Sequence, residues 1–311
     1  MRTAVLFAPC LLVVSLCAAA ACSSSDSSPS GGAGTDASTD APSSPRDAAQ
    51  DTSEIEDAGV DSTPEKLTIA DEMEPNGGQP ASAVNAMVLP GTMNGKIDPA
   101  NDLDVFSIKL APGDFWDWTL TPTTADLAPH VIAFDTAGGL NPIVAGFSGA
   151  GVPAKLQHFV LRTGTFVIGV RDARNVGADG GRGGPTYGYA LTGKRATPQP
   201  VALTLPATKT GKLASVGSVD FYSFKGSGGK GWDVAIHAAE KAVPSTLDSR
   251  LSIYDLTGKK PIGTNDNVTG SSDSKLGSPD PVPSSSTFLI IVENEGKDGT
   301  DLSYEIELTL R

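Results

Sequence analysis

Residues 94–109 read NGKIDPANDLDVFSIK, and residues 210–225 read TGKLASVGSVDFYSFK. It is one passage met twice, at a displacement of 116. The same displacement carries Trp116-Asp117 onto Trp232-Asp233. Self-similarity of this kind is the mark of a duplicated structural unit and takes precedence over other fold signals.

Working outward from the repeat, short alternating or apolar stretches recur between clusters of Gly, Pro, Asn and Asp. In the first copy they are Val105–Leu110, Phe115–Thr121, His130–Asp135, Leu156–Leu161, Thr165–Arg171 and Tyr187–Thr192. In the second they are Val219–Lys225, Trp232–His237, Arg250–Leu256, Thr287–Glu293 and Ser303–Leu310. None shows a sustained 3.6-residue period. The pattern predicts many short antiparallel strands. The expected fold class is all-β: two tandem antiparallel β-sandwich (jelly-roll-like) domains, 66–195 and 196–311, following a disordered linker. Strand alternation places Trp116, Trp118 and Leu120 on one face, and Trp232, Val234 and Ile236 on the equivalent face. Tryptophans kept at the same place in both copies are expected to be core.

The chain has 311 residues and a formal net charge of −13. Much of that charge lies in residues 23–65, where ten acidic residues face one base, Arg46. That stretch is rich in Ser, Asp, Ala, Pro, Gly and Thr and nearly lacks large apolar side chains. It cannot bury enough apolar surface to offset its ordering entropy and is expected to be a disordered linker. As a flexible coil its ends would lie about 35–40 Å apart. An acidic chain without basic patches is not expected to bind nucleic acid.

Residues 1–22 have the form of a secretory targeting segment. Arg2 precedes an apolar run from Ala4 to Ala21, and small residues Ala19-Ala20-Ala21 lead into Cys22. This ending resembles the lipobox of bacterial lipoproteins, which implies cleavage before Cys22 and lipidation of Cys22. Several acyl chains on one residue anchor a protein stably. The resemblance further implies that Ser23, in place of an aspartate, directs the protein to the outer membrane, facing the periplasm or the cell surface. The three cysteines are Cys10, Cys17 and Cys22. The mature chain therefore has no pair for a disulfide and no cysteine metal site.

Residues 72–109 carry a further pattern. Glu72-Met73-Glu74-Pro75-Asn76 opens it, and an Ala-containing stretch follows through Ala81 and Ala83. Gly91 and Gly95 precede Asp102-Leu103-Asp104-Val105-Phe106-Ser107-Ile108. Later come Phe134-Asp135-Thr136-Ala137-Gly138 and Thr163-Gly164-Thr165-Phe166-Val167-Ile168-Gly169-Val170. In this order the motifs resemble the bacterial pre-peptidase C-terminal domain, a β-sandwich found in secreted peptidases and surface proteins. The second copy resembles it more weakly, through Gly211, Val219–Phe224, Tyr254–Gly258 and Thr287–Val292, and lacks the opening Glu-x-Glu-Pro-Asn.

In collagen-binding members of that family the opening acidic segment and the Asp-x-Asp hold calcium. The resemblance thus implies a calcium site in the first copy, formed by Glu72, Glu74, Asn76, Asp102 and Asp104. Calcium takes six to eight oxygen ligands, several of them carboxylates, so the residue types suit it. Gly77 departs from the family pattern, which often has an acidic or amide residue there. Asp104 and Asp220 occupy the same position in the two copies. The plainer reading of this aspartate is an acceptor for turn backbone N–H groups.

The catalytic inventory is thin. His130, His158 and His237 form no His-Glu-x-x-His arrangement. Gly146-Phe147-Ser148-Gly149-Ala150 lacks the final glycine and the strand–turn–helix setting of a nucleophile elbow. Residues 177–184 are glycine-rich but lie between two strand stretches, and read as a hairpin loop. Asp266 and Asp273 fall in Ser/Gly-rich loops, where surface aspartates are the default. The chain is expected not to be an enzyme. The leading expectation is a lipid-anchored protein with two non-catalytic binding sandwiches for extracellular protein or polysaccharide. An accessory envelope protein associated with a secreted peptidase is the alternative, and a hydrolase a third.

Overall fold

The structure is a computed structural model and describes residues 66–74, 85–136, 141–175, 181–239, 245–278, 282, 286–295 and 299–311. The targeting segment, Cys22, the linker and Asn76 lie outside the described residues. The first copy contains β1 (Thr68–Asp71), β2 (Gly91–Lys96), β3 (Asp104–Leu110), β4 (Phe115–Pro122), β5 (Pro129–Asp135), β6 (Asn141–Phe147), β7 (Ala154–Phe159), β8 (Gly164–Asp172) and β9 (Gly188–Ala196). The second contains β10 (Val201–Ala202), β11 (Ala207–Lys212), β12 (Asp220–Lys225), β13 (Trp232–His237), β14 (Ser249–Asp255), β15 (Lys260–Asn265), β16 (Ser274–Gly277), β17 (Thr287–Asn294) and β18 (Ser303–Leu310). No helix occurs among the described residues.

The fold is all-β, as the strand stretches predicted. Every stretch singled out in the sequence overlaps a strand, four of them running one or two residues past one end of it, and Trp232–His237 and Ser303–Leu310 coincide with β13 and β18. The strands that pattern reading missed are β1, β2, β6, β10, β11, β15 and β16. All lie at a sheet edge or next to one. Such strands bury few side chains, so sequences such as ATKTGK (207–212) and KPIGTN (260–265) carry little apolar alternation.

The first copy pairs its strands as β1-β2-β9-β4-β7 and β3-β8-β5-β6. The second pairs them as β11-β18-β13-β16 and β10-β12-β17-β14-β15. Apart from β1 and β10, the strand orders correspond one to one. Even small features recur. Ala86 bridges Ser107 in parallel, as Ala202 pairs with Ser223 in β10–β12. Met87 N–H donates to Ser107 O at 3.0 Å, and Leu203 N–H donates to Ser223 O at 2.7 Å. One expectation is corrected. Residues 177–184 do not close a hairpin, because β8 and β9 belong to opposite sheets. In its described part, Gly184 N–H donates to Ile97 O at 2.7 Å.

Each pair of sheets encloses an apolar core. In the first copy Met93, Trp118, Leu120, Leu156 and Leu191 of one sheet meet Phe106, Ile108, Val131, Ile168 and Val170 of the other. In the second, Trp232, Val234, Ile236 and Ile306 meet Tyr222, Phe224, Ile253 and Ile290. Both tryptophan faces are therefore buried. A third cluster contains residues of both copies: Phe115 and Phe159 pack with Val219, Phe221, Tyr254, Leu289 and Ile291. The ring of Phe221 lies 4.8 Å from Phe115, and that of Tyr254 lies 5.2 Å from Phe159, both edge to face.

Candidate metal centre

The site begins where β1 ends. β1 runs parallel to β2, with Thr68 opposite Gly91 and Asp71 opposite Asn94. Glu72 N–H then donates to Asn94 O at 2.9 Å, which carries the ladder one residue further. The Glu72 side chain turns back along β2, and its Oε1 accepts Lys96 N–H at 2.6 Å. Between the two glutamates, Asn85 clamps the backbone of Met73. Met73 N–H donates to Asn85 Oδ1 at 2.9 Å, and Asn85 Nδ2 donates to Met73 O at 3.1 Å. Asn85 is buried. It fixes the direction in which Glu72 and Glu74 leave the chain.

Asp104 enters from the other sheet, as the first residue of β3. Glu72, Glu74 and Asp104 each bring one carboxylate oxygen to within 4.8 Å of the others. Oxygens about 2.4 Å from a shared calcium ion lie no more than about 4.8 Å apart, so the spacing fits that ion. Asp104 is 0% exposed, and its Oδ1 is buried without a hydrogen-bond partner. Burial is the main cause that pushes its carboxyl up to about 9. The Tyr189 hydrogen bond opposes this, and the charges of Glu72, Asp102 and Glu74 add to it. A carboxyl in this state keeps a proton at neutral pH unless a cation replaces it.

Asp102 stands apart from the trio. Its Oδ1 accepts Leu103 N–H at 2.9 Å, while its Oδ2 is buried and unpartnered. Its charge nonetheless reaches Asp104. Of the five expected ligands, three converge, Asp102 is not among the converging oxygens, and Asn76 is outside the described residues. The donor set is all oxygen, which suits a hard cation.

Sequence reasoning missed Tyr189. Its hydroxyl lies 2.5 Å from Asp104 Oδ2 and 2.9 Å from Glu72 Oε2, linking the two sheets through the site. In the second copy Tyr304 does the same work. Its hydroxyl lies 2.5 Å from Asp220 Oδ2 and 2.9 Å from the Tyr222 hydroxyl. Tyr222 stands where the first copy has Phe106, and its hydroxyl fills the place that Glu72 takes beside the other tyrosine. The expectation that this aspartate accepts turn N–H groups is thereby corrected. In both copies its partner is a tyrosine hydroxyl from the opposite sheet. The signal was present as Tyr189 and Tyr304 in matching stretches, but no local pattern pairs a tyrosine with an aspartate more than 80 residues away.

The candidate catalytic groups have structural occupations. Ser148 donates its hydroxyl to the Val152 carbonyl within a turn that leads to a strand. Asp273 is buried, and its Oδ1 accepts Ala238 N–H at 2.7 Å and Ala239 N–H at 2.8 Å, whereas Asp266 is exposed. His237 Nε2 meets Glu307 Oε2 at 3.1 Å, and His130 Nδ1 accepts Arg171 Nε–H at 3.2 Å. His158 lies buried 3.8 Å from Glu293, between the two copies.

Comparison with known families and with curated proteins finds no match. Among solved structures, the chain is similar to the pre-peptidase C-terminal domain of collagenase from Bacillus anthracis, with 13% identity and a TM-score of 0.29 over 37% of this chain and 98% of that one. It is also similar to the M60 catalytic domain with the CBM51-1 and CBM51-2 domains of ZmpB from Clostridium perfringens, with 9% identity and a TM-score of 0.21 over 67% of this chain and 33% of that one. The CUB1-EGF-CUB2 domain of human MASP-1/3 gives 8% identity and a TM-score of 0.21 over 73% and 98%. Likenesses at these levels assign neither family nor activity.

Proposed function

We propose that this chain is a lipid-anchored, non-catalytic binding protein of the bacterial outer membrane, with two sandwiches of the pre-peptidase C-terminal type. In this reading Cys22 carries the lipid, and residues 23–65 tether the sandwiches away from the bilayer. The ligand is an extracellular protein or polysaccharide. Calcium holds the first sandwich together through Glu72, Glu74 and Asp104, with Asp102 and Asn76 as further donors. The second sandwich holds none, because Tyr222 replaces the carboxylate beside Tyr304.

The observation that carries the reading is the convergence of one carboxylate oxygen each from Glu72, Glu74 and Asp104, together with the buried, unpartnered Oδ1 of Asp104. Leaving such an oxygen unpaired is costly, and a cation in contact with it removes the cost. The test is thermal unfolding in calcium and in chelator. At free calcium about 100-fold above Kd, the folded state gains about 2.7 kcal/mol and the melting temperature rises by several degrees. Glu74→Gln combined with Glu72→Gln is expected to abolish the rise, and Asp220→Asn to leave it intact. An unchanged melting temperature in millimolar calcium overturns the calcium site.

A further inference from the structure

The two copies differ at one sheet edge. In the first, β2 is covered by β1. In the second, the matching strand β11 pairs with β18 on one side, and among the described residues no strand pairs with its other side. We propose that this open edge of β11 is a docking site for an extended acidic peptide strand. The strand would add in parallel, as β1 adds to β2. The inference rests on the reading of the chain as a binding protein and names a partner class for its second sandwich.

The first copy shows what such an edge accepts. β1 buries almost nothing, for all four of its residues are exposed and Ile69 is 68% exposed. Main-chain bonds and an acidic end hold it. Thr68 N–H donates to Pro90 O at 3.1 Å, Asn94 Nδ2 donates to Asp71 Oδ1 at 3.1 Å, and Glu72 bonds at both its N–H and its carboxylate as described. This is strand addition, in which the backbone supplies affinity and side chains at intervals supply selectivity.

The register places equivalent groups on β11. Gly95 faces Tyr189 in β2–β9, and Gly211 faces Tyr304 in β11–β18. Along an edge strand, alternate residues turn their N–H and C=O groups away from the paired neighbour. In β2 these outward groups include Asn94 O and Lys96 N–H, which bond to Glu72. At a displacement of 116 they correspond to Thr210 O and Lys212 N–H. Charge then selects the occupant. Where the first copy buries Met93, the second exposes Lys209, and Lys96 recurs as Lys212. Both charged residues of β11 are cationic. The neighbouring carboxylates Glu305 and Glu307 lie on β18, Glu307 against His237, and Asp301 lies 3.6 Å from Lys212 Nζ on the exposed surface. The strand seated on β2 carries Asp71 and Glu72 and leads to Glu74, so an acidic strand is the complementary occupant.

Lysines on an edge also guard against unwanted pairing, and a solvated, guarded edge is the competing outcome. The test uses the full chain and a labelled synthetic peptide of residues 66–74, KLTIADEME, titrated in chelator and followed by anisotropy. Expected is saturable binding, weakened about tenfold or more by Thr210→Pro, which removes an outward N–H, and by Lys209→Glu with Lys212→Glu. A peptide carrying Asp71→Asn, Glu72→Gln and Glu74→Gln is expected to bind more weakly. Amide exchange is expected to slow at Thr208, Thr210 and Lys212. If Thr210→Pro unfolds the protein, the lysine pair and the exchange data decide. Absence of saturable binding at millimolar peptide, binding indifferent to the lysine pair, or protection confined to β2 overturns the proposal. Calcium melts of the same protein keep the outcomes separate: a preserved calcium response with no peptide binding removes the edge site alone.

Discussion

Tyr189 and Tyr304 each reach across a sandwich to an aspartate at the start of a strand, and each needs a glycine to do so. A Cβ on Gly95 would lie 2.5 Å from the Tyr189 hydroxyl and 2.4 Å from Glu72 Oε2. One on Gly211 would lie 2.4 Å from Tyr304 Cζ and 2.6 Å from the Tyr222 hydroxyl. The tyrosines are rigid and buried, whereas Glu72 is half-buried, so at Gly95 the ring and the glutamate must move and at Gly211 the rings must. Gly95→Ala and Gly211→Ala are each expected to cost about 1–3 kcal/mol, read from denaturant unfolding. Only Gly95→Ala should also weaken the calcium response, because only there is a glutamate displaced. The glycines were visible in the repeat as part of a motif. Their reason was not, since it lies in side chains that arrive from other strands.

At the scale of elements, β17 departs most from simple alternation. Phe288-Leu289-Ile290-Ile291-Val292 is buried throughout. Phe288, Ile290 and Val292 face the core of the second sandwich, whereas Leu289 and Ile291 face Phe115 and Phe159 of the first copy. An antiparallel sheet with one wet face alternates apolar and polar residues, and a sheet covered on both faces does not need to. The unbroken apolar run was legible in the sequence, but what covered the second face was not. Ile290→Ala and Ile291→Ala are each expected to cost about 2–5 kcal/mol in urea unfolding. A near-zero effect of Ile291→Ala would show that the outer face of β17 is solvated.

At the scale of the whole molecule, residues of both copies belong to one compact unit. Polar contacts accompany the shared aromatic cluster. Gln157 N–H donates to Gly217 O at 2.7 Å, Gln157 Oε1 accepts Val219 N–H at 3.1 Å, and Arg250 Nη1 donates to Ile143 O at 3.0 Å. The sandwiches are thus joined by packing and hydrogen bonds rather than strung on a bare linker. Calorimetry is expected to show a single unfolding transition. Phe221→Asp, which places a carboxylate among Phe115, Phe159 and Tyr254, is expected to split it in two.

The sequence by itself determined the all-β class, the duplication, most strand positions and the tryptophan faces. These follow from side-chain period and turn chemistry, which are local. Through the family resemblance it also named Glu72, Glu74, Asn76, Asp102 and Asp104 as candidate ligands. Tertiary structure alone decided that Glu72, Glu74 and Asp104 meet, that Tyr189 and Tyr304 bind the aspartates, that β1 covers one sheet edge while among the described residues no strand covers the outer edge of β11, and that an aromatic cluster joins the copies. Each of these is a contact between residues far apart in the chain. Its energy depends on what the rest of the fold brings alongside, and no period along the sequence records that.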